Sequence, residues 1–377
     1  MVGIRKHLAV PFTLALLLLF AGDASAEQPV QQAADWEFLA APYLSVNPDF
    51  GVVFGVGGGI SKDSNTTIIL NSALSTKRQK GITLRGEAGT EENIYLFTFR
   101  SWLNPADVYV ESFSSTDPYA TGLLQRGEFK IAALRKTEGQ FEFGPEVWLD
   151  FTQGIEPKTP DGVPLDINTI SRFRRGSLVL GGFRARWRTT SASRPMDGVI
   201  IDFALRAGRA DGIEYTTPRL TYASDFWLSY TKPFSDRLRF YSRLWVRLQD
   251  QAPTSVRNDL GGSTTLRGVP YNRDFGRRLI ATRFQLPYRF ASDFTLFTDI
   301  AQVFIPPFPT WKLDLEILPF ADIGAVADSD LGGWKPTRVG YGVGLRLVLP
   351  PQLVFTIDLG YSPGGSTKFY FDGGESL

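Results

Sequence analysis

The sequence predicts an all-β chain, a transmembrane antiparallel β-barrel of about sixteen strands. Three observations carry that expectation. Apolar and polar residues alternate at period two over nearly the whole chain, and no stretch sustains a helical period. The alternating stretches run to about ten residues or more, against the five or six usual in soluble strands. One face of each stretch carries several charges while the other carries large aliphatic and aromatic side chains, as in a wall with lipid outside and a polar lumen within. Closing such a sheet gives every backbone group a partner in a medium without water.

Taken in order, the first element is a leader. Arg5, Lys6 and His7 form a positive region, Leu8 to Ala21 an apolar run shorter than the roughly 20 residues of a membrane-spanning helix, and Ala24-Ser25-Ala26 a small-residue cleavage site. Residues 1–26 are therefore expected to be a cleaved signal peptide, and 27–377 the barrel domain. Cleavage takes away Arg5, Lys6 and Asp23, so 38 of the 40 basic and 38 of the 39 acidic residues remain and the mature net charge is zero. Nothing in that balance points to nucleic acid. Cleavage also removes His7, the single histidine of a chain without cysteine. A Ser-His-Asp triad, a cysteine nucleophile and a His- or Cys-ligated metal site are thereby excluded, so no enzyme, metal or cofactor is expected. The mean hydropathy of −0.08 also excludes a bundle of apolar membrane-spanning helices.

The strands follow as 36–45, 51–60, 66–76, 82–89, 93–102, 127–136, 140–152, 177–189, 198–208, 217–232, 237–250, 277–290, 312–326, 338–349, 352–362 and 367–377. From Phe141 to Phe151 one face reads Phe141, Phe143, Pro145, Val147, Leu149, Phe151 and the other Glu142, Gly144, Glu146, Trp148, Asp150. Arg184, Arg186 and Arg188 alternate on the next strand, so a ladder of cross-strand ion pairs is expected between the two. Such arginines would keep the carboxylates ionised, which argues against a glycosidase-type acid and base. Connections after odd-numbered strands include the long ones, 103–126, 153–176 and 251–276, the asymmetry of long extracellular loops and short periplasmic turns. The connection 291–311 breaks that rule, and a further strand could lie in Phe294–Phe304. Gly55-Val56-Gly57-Gly58-Gly59 sits in a strand with no helix after it, so a phosphate cradle is not expected; packing against an inserted loop, or a lumen contact, is.

After the strand ending near Asp250 comes Asp259-Leu-Gly-Gly-Ser-Thr-Thr-Leu-Arg-Gly-Val-Pro-Tyr-Asn-Arg-Asp-Phe275. This segment resembles the long sixth extracellular loop of the BamA/TamA superfamily, the bacterial surface antigen barrels, with Leu266-Arg267-Gly268-Val269 as its tip. The resemblance implies that the loop folds into the lumen and that Arg267 meets a Phe-x-Asp-x-Gly motif on a later strand, present as Phe320-Ala321-Asp322-Ile323-Gly324, with Phe297-Thr298-Asp299-Ile300-Ala301 as fallback. A buried guanidinium needs a carboxylate and an aromatic face, which Asp322 and Phe320 supply. Leu266, Arg267, Gly268, Phe320, Asp322 and Gly324 are thus the expected loop brace. Pro195-Met196-Asp197-Gly198 is similar to a periplasmic turn of that family, and Ala41-Pro42-Tyr43 to Gly51 to its first hairpin. The ending Phe369-Tyr370-Phe371-Asp372-Gly373-Gly374 resembles its insertion signal, departing from it at Leu377. Only Glu27 to Asp35 precede the first strand, so a barrel-only member lacking POTRA domains is expected.

The resemblance implies an outer-membrane protein that assists insertion or translocation of proteins, or of lipids, through a lateral seam between first and last strands. Tyr43 lies on one side of that seam and Phe369, Phe371, Gly373 and Gly374 on the other; the two glycines would weaken it. The expected partners are outer-membrane lipids, unfolded outer-membrane or exported proteins, and a separate periplasmic protein. A passive outer-membrane channel or structural surface antigen is the alternative, with seam opening against steady conductance as the discriminator.

Overall fold

The computed structural model describes residues 37–373 apart from 48–50, 63–65, 91, 110–117, 138–139, 190–197, 213–214, 216, 264, 272, 296–311, 329–332, 350–352 and 364–366. The leader 1–26, the turn Pro195-Met196-Asp197, the fallback motif at 297–301 and Gly374 lie outside the described residues.

The strands are β1 (Glu37–Asn47), β2 (Gly51–Lys62), β3 (Thr66–Ser75), β4 (Lys80–Gly89), β5 (Asn93–Tyr109), β6 (Pro118–Lys136), β7 (Phe141–Lys158), β8 (Gly176–Arg188), β9 (Gly198–Gly212), β10 (Arg219–Pro233), β11 (Arg239–Gln249), β12 (Asn258–Leu260), β13 (Asp274–Gly276), β14 (Arg278–Gln285), β15 (Tyr288–Thr295), β16 (Lys312–Ala327), β17 (Arg338–Leu349), β18 (Leu353–Tyr361) and β19 (Lys368–Gly373). Seventeen of them form one sheet, and β12 and β13 form a separate hairpin. Consecutive wall strands pair antiparallel throughout. β14 pairs with Phe320–Ala327 and β15 with Lys312–Ile317, both on β16, so the two are halves of one wall strand broken at Leu286-Pro287. Counted that way the wall has sixteen strands, as the alternation predicts. The second half pairs irregularly, with register shifts between Arg289 and Ala291 and between Ala291 and Phe294.

The wall is a soluble protein turned inside out. From Phe141 to Thr152 of β7 the buried residues are Glu142, Gly144, Glu146, Trp148, Asp150 and Thr152, while Phe141, Val147, Leu149 and Phe151 are exposed. Buried charges beside exposed large apolar groups reverse the usual preference and fit a lipid belt around a filled polar lumen. The same inversion recurs on β17, where Val339, Tyr341, Val343 and Leu345 are exposed and Arg346 is buried.

Two expected connections are shorter than the sequence suggests. Leu103-Asn104-Pro105 reads as a strand end, yet Asn104 pairs with Leu124 and Pro105 with Leu123, so the 103–126 connection becomes mostly strand. The reason lies outside that hairpin. Phe173, from the 3₁₀ turn Ser171–Phe173, packs with Ile170 onto Ala106, Ala120 and Leu124, giving the protruding ribbon a core that two strands alone would lack. Likewise β7 continues to Lys158, leaving 159–175 as the connection.

Candidate functional site: the lumenal loop and the seam

The 250–277 connection descends into the lumen as a hairpin. β12 and β13 pair over Asn258–Leu260 and Asp274–Gly276, and the chain between them forms a tip. Three glycines make the tip possible, because Gly261, Gly262 and Gly268 have φ of +123°, +83° and +87°. Within it the Gly262 N–H donates to the Val269 carbonyl at 2.9 Å and the Leu266 N–H to the Gly262 carbonyl at 3.1 Å. Leu260, Leu266 and Val269 are fully buried against Leu279, Ala281 and Val326 of the wall, with Trp245 beside them. Apolar footing therefore holds the tip before any charge is counted.

Arg267 extends from that footing into the strand β16 motif. Its Nε and Nη2 donate to Asp322 Oδ2 and Oδ1, both at 2.8 Å, and its backbone N–H donates to Oδ2 at 3.0 Å. Nη1 donates to Asp358 Oδ2 on β18 at 2.9 Å. The guanidinium carbon stands 3.5 Å from the Phe320 ring centroid. Arg267 is 1% exposed and Asp322 is fully buried, so both charges depend on each other for the solvation that water would otherwise give. Arg283 adds a second cation, its Nε 3.5 Å from Asp322 Oδ1 and its Nη2 donating to the Ser263 carbonyl at 2.6 Å. Gly324 faces Leu260 and Leu266, where a side chain would crowd the tip. The six brace residues named from sequence are thus brought into one cluster.

Several partners escaped the sequence reading. Asp358 is the second carboxylate on Arg267. Tyr370 of β19 receives a hydrogen bond from the Gly268 N–H at 3.1 Å and donates to the Val269 carbonyl at 3.3 Å. Both lie on the inward face of alternating strands, a signal that marks them as lumenal without saying what they meet. At the loop's base, Arg172 from the 159–175 connection forms an ion pair with Asp259, donates to the Thr254 and Ser255 carbonyls at 3.0 and 3.1 Å, and lies 5.0 Å from the Phe275 ring. Arg338 of β17 donates to Asp274 at 2.8 Å. Two loops and the wall therefore interlock over the lumen.

The β7–β8 charge ladder differs from the expected one. Arg186 and Arg188 both bind Glu142, at 2.5 and 2.7 Å, but Asp150 pairs with Arg126 of the preceding strand at 2.7 Å. The register puts Leu178 of β8 opposite Asp150, out of reach of the β8 arginines. Glu146 keeps its expected β8 partner Arg184 at 3.4 Å but is held more closely by Arg206 of β9 at 2.7 Å, and Arg184 turns chiefly to Asp202 at 2.6 Å. In the glycine stretch of β2, a Cβ at Gly57 would meet nothing within 4 Å and one at Gly59 only the Ile68 carbonyl of β3, so neither of these two packs against the loop.

At the seam, Tyr43 occupies the middle of β1, opposite Gly55 of β2. On β19, Phe369, Phe371 and Gly373 stand opposite Leu359, Ile357 and Phe355 of β18. β1 and β19 come within 8 Å of each other, Cα to Cα, yet no residue-by-residue pairing joins them among the described residues. Every other neighbouring pair around the wall has such a ladder.

This architecture is that of known outer-membrane barrels. CdiB from Escherichia coli superposes with a TM-score of 0.57 at 11% identity, over 95% of this chain and 67% of that one. CdiB from Acinetobacter baumannii gives 0.53 at 14% identity, over 89% of this chain and 59% of that one, so the present chain spans about three fifths of its length. No family model matches the sequence. Among curated proteins, glucans biosynthesis protein G 1 of Shewanella oneidensis is 27% identical over 147 residues, covering 36% of this chain and 26% of that protein. Glucans biosynthesis protein G of Shewanella putrefaciens is 26% identical over the same length, so the chain spans about a quarter of either relative. The fold is therefore that of a transmembrane-type antiparallel β-barrel, here with a loop seated in its lumen.

Proposed function

We propose that the chain is an outer-membrane barrel of the BamA/TamA type that assists insertion or translocation of proteins, or of lipids, through a lateral seam between β1 and β19. The observation that carries this reading is the pairing of a plugged lumen with an unladdered seam. The loop, fixed by Arg267 to Asp322 and Asp358, would obstruct axial passage, while the approach of β1 and β19, with no ladder between them among the described residues, is where an incoming strand would pair. A strand that docks there gains ladder hydrogen bonds in an apolar medium, where an unmet backbone group costs several kcal/mol. The role is a templating one. It asks for no catalytic residue, metal or cofactor, and Arg267 and Asp322 act as an internal brace. The partners of the proposal are outer-membrane lipids, unfolded barrel or exported proteins, and a separate periplasmic protein that delivers them.

The test is reconstitution of the mature protein in liposomes, with the insertion rate of an unfolded outer-membrane barrel as readout. The variant Tyr43→Cys/Phe371→Cys supplies a lockable seam in a chain that has no other cysteine. Acceleration that disappears on cross-linking is the expected result. Unchanged insertion with steady single-channel conductance would instead identify a passive pore.

A further inference from the structure

The loop tip does not stop at the β16 motif. Its backbone continues over β17, β18 and β19 in turn, and the wall is shaped to receive it. On β17, Gly340 lies directly beneath the Arg267 carbonyl, where any Cβ would overlap that oxygen. On β18, Gly360 and the Tyr361 backbone lie against Gly268. On β19, Tyr370 stands opposite Asp358 in the ladder, is 1% exposed, and places its hydroxyl between the Gly268 N–H and the Val269 carbonyl. Gly268 and Val269, which follow the Arg267 that engages Asp322 and Asp358, therefore engage the barrel's terminal strand.

That last contact differs from the others in consequence. β16, β17 and β18 are each laddered on both sides, so a loop contact adds little to their placement. β19 is laddered to β18 alone among the described residues, over six residues from Lys368 to Gly373. A hydroxyl that both accepts from and donates to the immobilised tip ties this last strand to the loop. Without it, the buried Gly268 N–H loses its acceptor, while the Val269 carbonyl keeps the Gly262 N–H.

We infer that Tyr370 is a positioning residue that latches β19 to the loop tip and thereby sets how often the seam opens. The inference rests on the lateral-seam reading and names the group that regulates it. The tip of the loop, fixed by Arg267, is the fixed end of the latch; the phenol of Tyr370 is the movable end.

The test uses the full mature chain in lipid bilayers. Tyr370→Phe removes the hydroxyl and keeps the ring. Tyr361→Phe, a hydroxyl loss on the exposed face of β18, is the control. Two quantities are read: hydrogen exchange at the Gly268 amide, and alkylation of a cysteine introduced as Phe371→Cys. The latch requires both to rise by roughly tenfold in Tyr370→Phe and neither to change in Tyr361→Phe. Faster Gly268 exchange with unchanged alkylation would overturn the inference, because the hydroxyl would then hold the loop alone. No change in either would also overturn it. Should Tyr370→Phe fail to assemble, Arg267→Lys disturbs the latch from its fixed end without touching β19. A latch predicts the same rise in alkylation there, and its absence refutes one. Cross-linking Tyr43→Cys to Phe371→Cys keeps the two readings apart. If the locked seam inserts substrate at the normal rate, the proposed function fails, while exchange and alkylation still decide the latch.

Discussion

Replacing Arg267 by alanine removes two side-chain hydrogen bonds to Asp322, one to Asp358 and the stack on Phe320 in one step. The backbone donor to Asp322 remains. What is left is a fully buried carboxylate whose nearest cation is Arg283, 3.5 Å away. Breaking a buried ion pair from one side costs about 3–5 kcal/mol. The lost cation–π contact adds about 1–2 kcal/mol, and Arg283 offsets part of the total. A net loss of about 4 kcal/mol is expected, and Asp322→Ala should cost about 3 kcal/mol because Asp358 still holds the guanidinium. The double variant removes both buried charges, so it should be less destabilised than the sum of the singles, with a coupling of about 2–3 kcal/mol. Urea unfolding in lipid bilayers, followed by fluorescence of the eight tryptophans, measures all three variants. Additivity within about 0.5 kcal/mol would refute the claim that the pair acts as one unit.

Glycine replacements test how closely the loop lies on the wall. Gly340→Ala should displace the tip and raise single-channel conductance, whereas Gly57→Ala, with open space before it, should leave stability within about 0.5 kcal/mol of the parent. Arg172→Ala removes the tie between the two long connections, and proteolysis at 251–257 should become at least severalfold faster with the wall intact; equal rates would place the restraint elsewhere. Mass spectrometry of the exported chain should find Glu27 as its first residue. An intact N-terminus would overturn the signal-peptide expectation.

Much of the wall was legible because its determinants are local. A side chain's face depends only on whether its position is odd or even, so the lipid belt, the inward charges and the sixteen strands can be read along the chain. The Arg267 brace was legible for a different reason. A motif resemblance joined residues 55 positions apart, and the chemistry of a buried guanidinium admitted few partners. Gly340 is one member of an alternating face, and nothing local says that a carbonyl lies over it.

Partner choice across the lumen belonged to the tertiary structure. Asp150 turns to Arg126 and away from β8 because register and barrel curvature set distances that alternation does not encode. Pro105 stays within a strand because Phe173, 68 positions later, supplies the packing that a turn-forming dipeptide would otherwise lack. Arg172 reaches Asp259, and Tyr370 reaches Gly268, only once two loops and the final strands have converged on one interior. The sequence by itself determined which residues face inward; folding decided which of them meet, since that depends on how the strands tilt and stagger around two interlocking loops.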